Sequence, residues 1–310
     1  MITSQQLRSQ FLDFYRSKGH SIIPSSPLIP KEDPTLLFVN SGMYPLVPYL
    51  MGEKHPVSNR LADSQKVIRT VDIDEVGDNR HLSFFEMLGS WSLGDYSKQD
   101  SINWGFEFLT SKDWLGLDPH RLFVTVYKGY GDVGPDLESI KAWSKCFESV
   151  GIEANIGEEF DFKSGQKTNN DQKYIYRITK KSGADNWWGL PYLGPCGPCS
   201  EIYYLLDNNE LDFEDQLKLQ DLATIEDFVE NQIVEIWNHV FMEYQGEWGD
   251  KELGENSKEP KNLTPLTQKN VDTGMGFERL LMILQKKDTV QETDVLSPIA
   301  DVVKKWENLA

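Results

Sequence analysis

A chain of 310 residues, 39% of them hydrophobic, is long enough to bury an enzyme-sized core, and its 31 Lys and Arg against 49 Asp and Glu give a formal charge of -18. Such a field repels phosphate backbones and argues against a dedicated nucleic-acid-binding module, although a few buried arginines or a metal ion can set a local potential against the global sign. Residues Met1 to Gln10 lack an apolar run, no stretch approaches the roughly 20 apolar residues that span a bilayer, and the three cysteines are too few and odd in number for a disulfide framework, so a cytoplasmic enzyme with no membrane partner is expected.

Ser4 can cap a helix running to about Lys18, with Leu7, Phe11, Phe14 and Tyr15 on one apolar stripe and Gly19 as its stop. Pro24, Pro27, Pro30 and Pro34 stiffen the segment that follows, and Thr35-Leu36-Leu37-Phe38-Val39-Asn40 is β-branched and aromatic enough to read as a strand. Lys66 to Val71 and Leu82 to Leu88 predict a hairpin whose long loop carries Asp72, Asp74, Glu75, Gly77 and Asp78. Helices fit Gln99 to Thr110 and Leu137 to Val150, and strands fit Leu122 to Tyr127, Glu201 to Leu206 and Ile233 to Tyr244. A last strand near Val271 leads into a helix over Gly276 to Lys286, and Ser297-Pro298 starts another. Residues 161–172 and 245–269 are polar and read as surface insertions. Without regular strand-helix alternation, this order predicts a single α+β domain on a mostly antiparallel sheet flanked by helices.

Three segments could carry chemistry. In Arg69 to Tyr96 an arginine ends a strand, an acidic loop follows, and Arg80, His81, Phe84, Phe85 and Glu86 come after it. An arginine held on a strand can grip phosphate in its planar fork, and a ring on the returning strand can stack on a purine; spacing alone favours a plain hairpin with a solvated acidic turn and core phenylalanines. In Val271 to Leu280 a strand passes through Gly274 and Gly276 into a helix with Arg279 in its first turn. A cation there opposes the helix dipole, which suggests an anion beside it, while an ordinary glycine turn with a surface arginine fits the spacing too. In Gly194-Pro195-Cys196-Gly197-Pro198-Cys199 the Cys-x-x-Cys pair would need two more zinc ligands, and none of the five histidines forms a close-spaced pair, so no zinc site is expected.

In order along the chain, Phe11 to Phe14, Asp33 to Phe38, Phe84-Phe85-Glu86-Met87-Leu88-Gly89, Gly94-Asp95-Tyr96, Gly194 to Cys199, Glu235-Ile236-Trp237-Asn238 and Asp272-Thr273-Gly274-Met275-Gly276 resemble the alanyl-tRNA synthetase family over nearly the whole chain. The resemblance implies the class II aminoacyl-tRNA synthetase fold, a six-to-seven-stranded antiparallel sheet flanked by helices, with ATP and Mg2+ as cofactors. It gives Arg69 the α-phosphate and Arg279 the γ-phosphate as the catalytic pair, with His81, Phe85 and Gly276 helping to hold ATP. Asp272 is implied to meet alanine's ammonium, with Trp188, Asn238, Val240 and Gly274 shaping the rest of the pocket, and Glu235 and Glu201 to reach the magnesium.

The activity so implied is ATP-dependent formation of alanyl-adenylate and transfer to the acceptor end of tRNA(Ala), by a monomer that binds tRNA weakly because the helical tRNA-recognition, editing and C-terminal domains of the family are absent. Two other readings compete: a paralogue that hands an aminoacyl adenylate to a non-tRNA acceptor, and a non-catalytic binding or regulatory module. The chain departs from the family pattern at Leu190-Pro191-Tyr192-Leu193, where no acid precedes Gly194. A pocket built for a methyl group cannot strongly exclude glycine or serine, so measurable activation of both is expected.

Overall fold

The structure is a computed structural model that describes residues 1–30, 36–157, 178–181, 186–190, 192–206, 233–248 and 261–307. Its elements in chain order are α1 (Ser4–Ser17), β1 (Ser21–Ile22), α2 (Val47–Leu50), β2 (Arg60–Ile68), β3 (Phe84–Leu93), α3 (Lys98–Thr110), β4 (Leu122–Tyr127), α4 (Leu137–Ser149), β5 (Ile156–Gly157), β6 (Ile178–Lys181), β7 (Trp187–Gly189), β8 (Tyr192–Leu205), β9 (Ile233–Trp248), β10 (Lys261–Gly276), α5 (Phe277–Leu284) and α6 (Ser297–Glu307). They form two compact units built from interleaved segments: Met1–Leu46 with Arg60–Ser90 and Gly274–Ala310, and Val47–Asn59 with Trp91–Thr273.

In the first unit, α1 begins one residue earlier than Ser4 suggests. Thr3 is the cap, its hydroxyl accepting from the Gln6 N–H at 3.2 Å while its own N–H donates to Gln6 Oε1 at 2.9 Å, a reciprocal box that satisfies two otherwise orphaned donors. The stripe read from the sequence is buried as expected: Leu7, Phe11, Phe14 and Tyr15 are at most 1% exposed, each contributing about 2 kcal/mol of apolar burial. Gly19 follows with φ +85°, a conformation that L side chains rarely adopt. Here the sheet runs β1-β2-β3, with β1 parallel to β2 and Ser21 opposite Leu61. The strand expected at 35–40 does not form over residues 36–40, and Thr35 lies outside the described residues. Val39 instead makes isolated bonds, its N–H to Leu28 O at 2.8 Å and its carbonyl to the Ile68 N–H at 2.9 Å, which anchor a loop without a ladder.

In the second unit the strand order is β10-β9-β8-β4-β6-β5, with β7 on β8. The pairs β8–β9, β4–β8 and β7–β8 are antiparallel, while β6 runs parallel to β4 and β5, giving a mixed and mostly antiparallel sheet. All six residues of β4 are buried, as an inner strand requires. Strand β9 is longer than expected and ends at Trp248, and β10 begins at Lys261, so both flanks of the expected 245–269 insertion belong to strands; residues 249–260 and the 161–172 insertion lie outside the described residues.

Helix α3 is closed by a Ser97–Asp100 capping box, and Asp136 caps α4 by accepting from the Ser139 N–H at 3.0 Å. The same Asp136 takes the buried Lys98 ammonium at 3.2 Å, which also meets Glu243 Oε1 at 3.2 Å, so α3, α4 and β9 are joined by one buried ionic knot. Such a knot fixes geometry more than it adds net stability, because each charge has lost its water. Aromatic rings fill the rest, with Trp91, Trp143, Trp237, Phe108, Phe147 and Phe241 all below 2% exposure.

Gly197 of β8 marks the closest backbone approach: a Cβ there would lie 1.9 Å from Phe241 O. Neither backbone can yield cheaply, so Gly197→Ala should destabilise the chain by at least about 2–3 kcal/mol, read as a lowered denaturant midpoint. Among the described residues no helix is long and apolar enough to cross a membrane.

Candidate active site

In the first unit the hairpin of β2 and β3 places Arg69 just past the end of β2. Its backbone N–H donates to Ser83 O at 2.9 Å, closing the base of the loop, and its Nε donates to Asn40 O at 3.0 Å. The guanidinium carbon sits 5.5 Å from the centroid of the Phe85 ring. One backbone bond and one ring therefore fix the plane of the guanidinium before any ligand arrives, which is how a fork is prepared for an oxyanion. Phe85 is itself half-buried against Val39, Val67 and Met87.

The loop of this hairpin organises around Asp78, which accepts from the N–H groups of Arg80 at 2.9 Å and His81 at 2.7 Å. Although partial burial works the other way, those N–H groups and the His81 ring hold its carboxyl below the usual range. His81 has a carboxylate on each ring nitrogen, Asp78 at 2.6 Å from Nδ1 and Glu75 at 3.0 Å from Nε2. In this conformation it clasps the acidic loop.

In the same unit Gly274 packs under Met87, where a Cβ would lie 2.8 Å from Sδ, and Gly276 precedes α5. Arg279 is half-buried in the first turn of α5 and lays its side chain along Gly276, where a Cβ would lie 3.3 Å from its Cδ. Arg69, Phe85, Gly274, Gly276 and Arg279 thus all belong to this one unit.

In the second unit the register of β8 and β9 sets Cys199 opposite Val240 and Glu201 opposite Asn238, so these four share a face. A bulge then intervenes: Ile202 faces Trp237 but Tyr203 faces Glu235, leaving Ile236 as the extra residue. Simple alternation would send Glu235 to the face opposite Asn238, and the bulge returns it to the face of Glu201, Asn238 and Val240. Glu201 is held by two side chains that its own motif does not reveal. Its Oε2 accepts from Tyr203 OH at 2.7 Å and Thr125 Oγ1 at 3.2 Å, while Asn186 donates to Thr125 Oγ1 at 2.8 Å and Cys199 O at 3.0 Å. Tyr203 stands two residues from Glu201 and could have been read from strand periodicity; Thr125 and Asn186 could not. Trp188 of β7 lies opposite Gly197.

Asn238 Oδ1 and Asn186 Oδ1 are buried with no hydrogen-bond partner among the described residues, acceptors of the kind a ligand's N–H would satisfy. Asp272 is 7% exposed, and burial pushes its carboxyl up to about 7, with the Trp91 indole opposing the shift in part. The thiols are different in kind. Burial pushes Cys196 up to about 12 and, with Glu201 and Glu235 nearby, Cys199 well above the usual thiol range, so both are inert packing groups rather than nucleophiles.

Among the described residues no three of His, Cys, Asp and Glu converge as a self-sufficient metal site. Glu201 and Glu235 do supply two hard oxygen donors on one face, the kind of partial set that Mg2+ accepts when substrate phosphates complete its shell.

The family model described as "tRNA synthetases class II (A)" matches residues 6–309. The chain is 40% identical over 301 residues to the Alanine--tRNA ligase of Treponema pallidum, covering 97% of this chain and 42% of that protein. It is 41% identical over 299 residues to the Treponema denticola enzyme of the same name, again spanning 42% of it, and 40% identical over 311 residues to that of Cytophaga hutchinsonii, spanning 30%. The chain therefore corresponds to less than half the length of these relatives.

Proposed function

The chain belongs to the class II (A) tRNA synthetases, and on that premise we propose that it activates alanine with ATP to alanyl-adenylate and passes the alanyl group to the 3'-terminal adenosine of tRNA(Ala). The observation that carries this reading is Arg69, with its Nε tied to Asn40 O and its guanidinium over Phe85, a preset grip for a nucleotide phosphate at the end of a strand. The names of the relatives supply the amino acid and the acceptor.

In the first step a carboxylate oxygen of alanine attacks the α-phosphorus, the bond to the β-phosphate oxygen breaks, and pyrophosphate leaves. Charge builds on the non-bridging oxygens, where the Arg69 guanidinium offsets it, while Arg279 holds the γ-phosphate and Phe85 and Gly276 border the nucleotide. His81 joins ATP only if Asp78 or Glu75 releases one of its ring nitrogens. Asp272 receives alanine's ammonium, and Asn238, Val240 and Trp188 limit the space for its methyl group. Mg2+, held by Glu235 and Glu201 together with the phosphates, would screen the triphosphate charge when bound. No side-chain nucleophile is needed, in keeping with the buried thiols. In the second step the terminal ribose hydroxyl attacks the carbonyl carbon and AMP leaves. Three free cysteines, all buried, fit the reducing cytoplasm as the place of work.

The test is amino-acid-dependent exchange of pyrophosphate into ATP by the purified chain. Exchange with alanine supports the reading, and ATP binding without exchange overturns it. Serine and glycine should also be activated, each less efficiently than alanine by about 10–200-fold, since one methyl or hydroxyl is a small handle; rejection of both by several orders of magnitude would show that the pocket discriminates by some other means.

A further inference from the structure

Glu86 and Glu278 flank two residues of the proposed ATP grip, Glu86 following Phe85 on β3 and Glu278 preceding Arg279 in the first turn of α5. The two acids lie together in the first unit. The Glu86 N–H points between both Glu278 carboxyl oxygens, 3.1 Å from Oε1 and 3.2 Å from Oε2, and Glu278 is only 4% exposed. Behind them the Glu86 carboxylate receives the fork of Arg8 from α1, Nε to Oε2 and Nη2 to Oε1 at 2.8 Å each, and the Ser64 hydroxyl at 2.7 Å. Arg8 in turn lies 4.7 Å over the ring of Phe277, the first and fully buried residue of α5.

Two carboxyl groups buried side by side are costly unless one of them is neutral or each has its own partner. Here both conditions hold. Burial, together with the neighbouring Glu86 charge, pushes Glu278 up to about 8, against the pull of the Glu86 N–H and Arg8. Despite its own partial burial, Glu86 is held below the usual carboxylate range by Arg8 and Ser64. The trio then carries one positive and one negative charge around a neutral acid, and the neutral acid receives a backbone N–H. A leucine would fill that space without the desolvation cost, so what Glu278 adds is the bond to the strand that carries Phe85.

We propose that Glu278 is a positioning residue for ATP, backed by the Arg8–Glu86 pair, which pins the start of α5 to β3 and so fixes the separation between Phe85 at one end of the nucleotide and Arg279 at the other. The inference rests on the assignment of Phe85 and Arg279 to ATP made under Proposed function. A purely structural role predicts lost stability with the affinities for both substrates moving together, whereas a positioning role moves ATP alone.

The experiment is steady-state pyrophosphate exchange by wild type, Glu278→Ala, Glu278→Gln and Arg8→Lys, with ATP and alanine varied separately at a temperature where thermal unfolding shows each variant folded. Loss of a buried hydrogen bond that sets the grip should raise the ATP KM of Glu278→Ala by about 30-fold while the alanine KM changes by less than about threefold. Glu278→Gln keeps a carbonyl oxygen for the Glu86 N–H and the shape of the neutral acid, and should return the ATP KM to within about threefold of wild type. Arg8→Lys loses the two-pronged contact and should raise the ATP KM by about fivefold, which keeps the test available if Glu278→Ala does not fold. An unchanged ATP KM in Glu278→Ala, or in Arg8→Lys where that variant stands in, overturns the inference while leaving the functional reading intact, as do equal rises for both substrates. Absence of exchange by the wild-type chain overturns the functional reading, and the inference with it.

Discussion

Arg69→Ala should lower alanine-dependent pyrophosphate exchange by about 10³-fold, mostly in kcat, with the unfolding midpoint little changed. The size follows from where the charge develops. A guanidinium aimed at the α-phosphate meets more negative charge in the transition state than in bound ATP, so its loss falls on the rate more than on the affinity. The small stability effect follows from the exposure of the position, since Arg69 is half-buried and its bond to Asn40 O ties a loop rather than the core. Arg69→Lys keeps the charge but cannot reproduce the bond from Nε or the stack on Phe85, and should recover no more than about tenfold of the loss. A kcat close to wild type in Arg69→Ala would remove Arg69 from the chemistry.

The second large effect is at Asp272, where function and stability should move in opposite directions. Asp272→Asn removes the only charge proposed to meet alanine's ammonium and should raise the alanine KM by about 100-fold. In the wild-type chain the same KM should rise as pH falls below about 7, because the carboxyl must be ionised to pair and burial has lifted it to that range; the asparagine variant should show no such pH dependence. Stability runs the other way. A carboxyl whose folded value, about 7, exceeds its ordinary value of 3.8 stabilises the fold fully below 3.8 and loses that contribution as pH rises through 7. Asp272→Asn is spared the loss, so it should match wild type near pH 4 and exceed it at pH 8. A rise of about three pH units at about 1.4 kcal/mol each sets a ceiling of about 4 kcal/mol on the difference. Thermal unfolding of both proteins from pH 4 to 8 reads the effect directly, and a gap that stays flat with pH would show that Asp272 is ionised throughout.

Elements with strong local signals were legible in the sequence. Leu122 to Tyr127 is β4 to the residue, and the α1 stripe is the one that packs. Elements with weak signals were not. Polar residues at 245–248 and 261–269 sit in β9 and β10 because a ladder is made by backbone groups, which polar side chains leave free to pair. The run at 35–40 has strand-like residues, yet 36–40 forms no ladder, since propensity alone supplies no neighbouring strand.

For the site the division is similar, and its cause is distance along the chain. The residue types, their order and the places where glycine must stand were already in the sequence, together with the likeness to a family of known chemistry. What folding alone decided is which groups stand against which. Asn40 fixes Arg69 from 29 residues away, and Glu278 reaches the Glu86 N–H across 192. The bulge that leaves Ile236 over turns Glu235 onto the face of Asn238, where two-residue alternation would have sent it away. Side-chain periodicity is a property of an isolated strand, whereas register belongs to a pair, and no reading of one strand contains it.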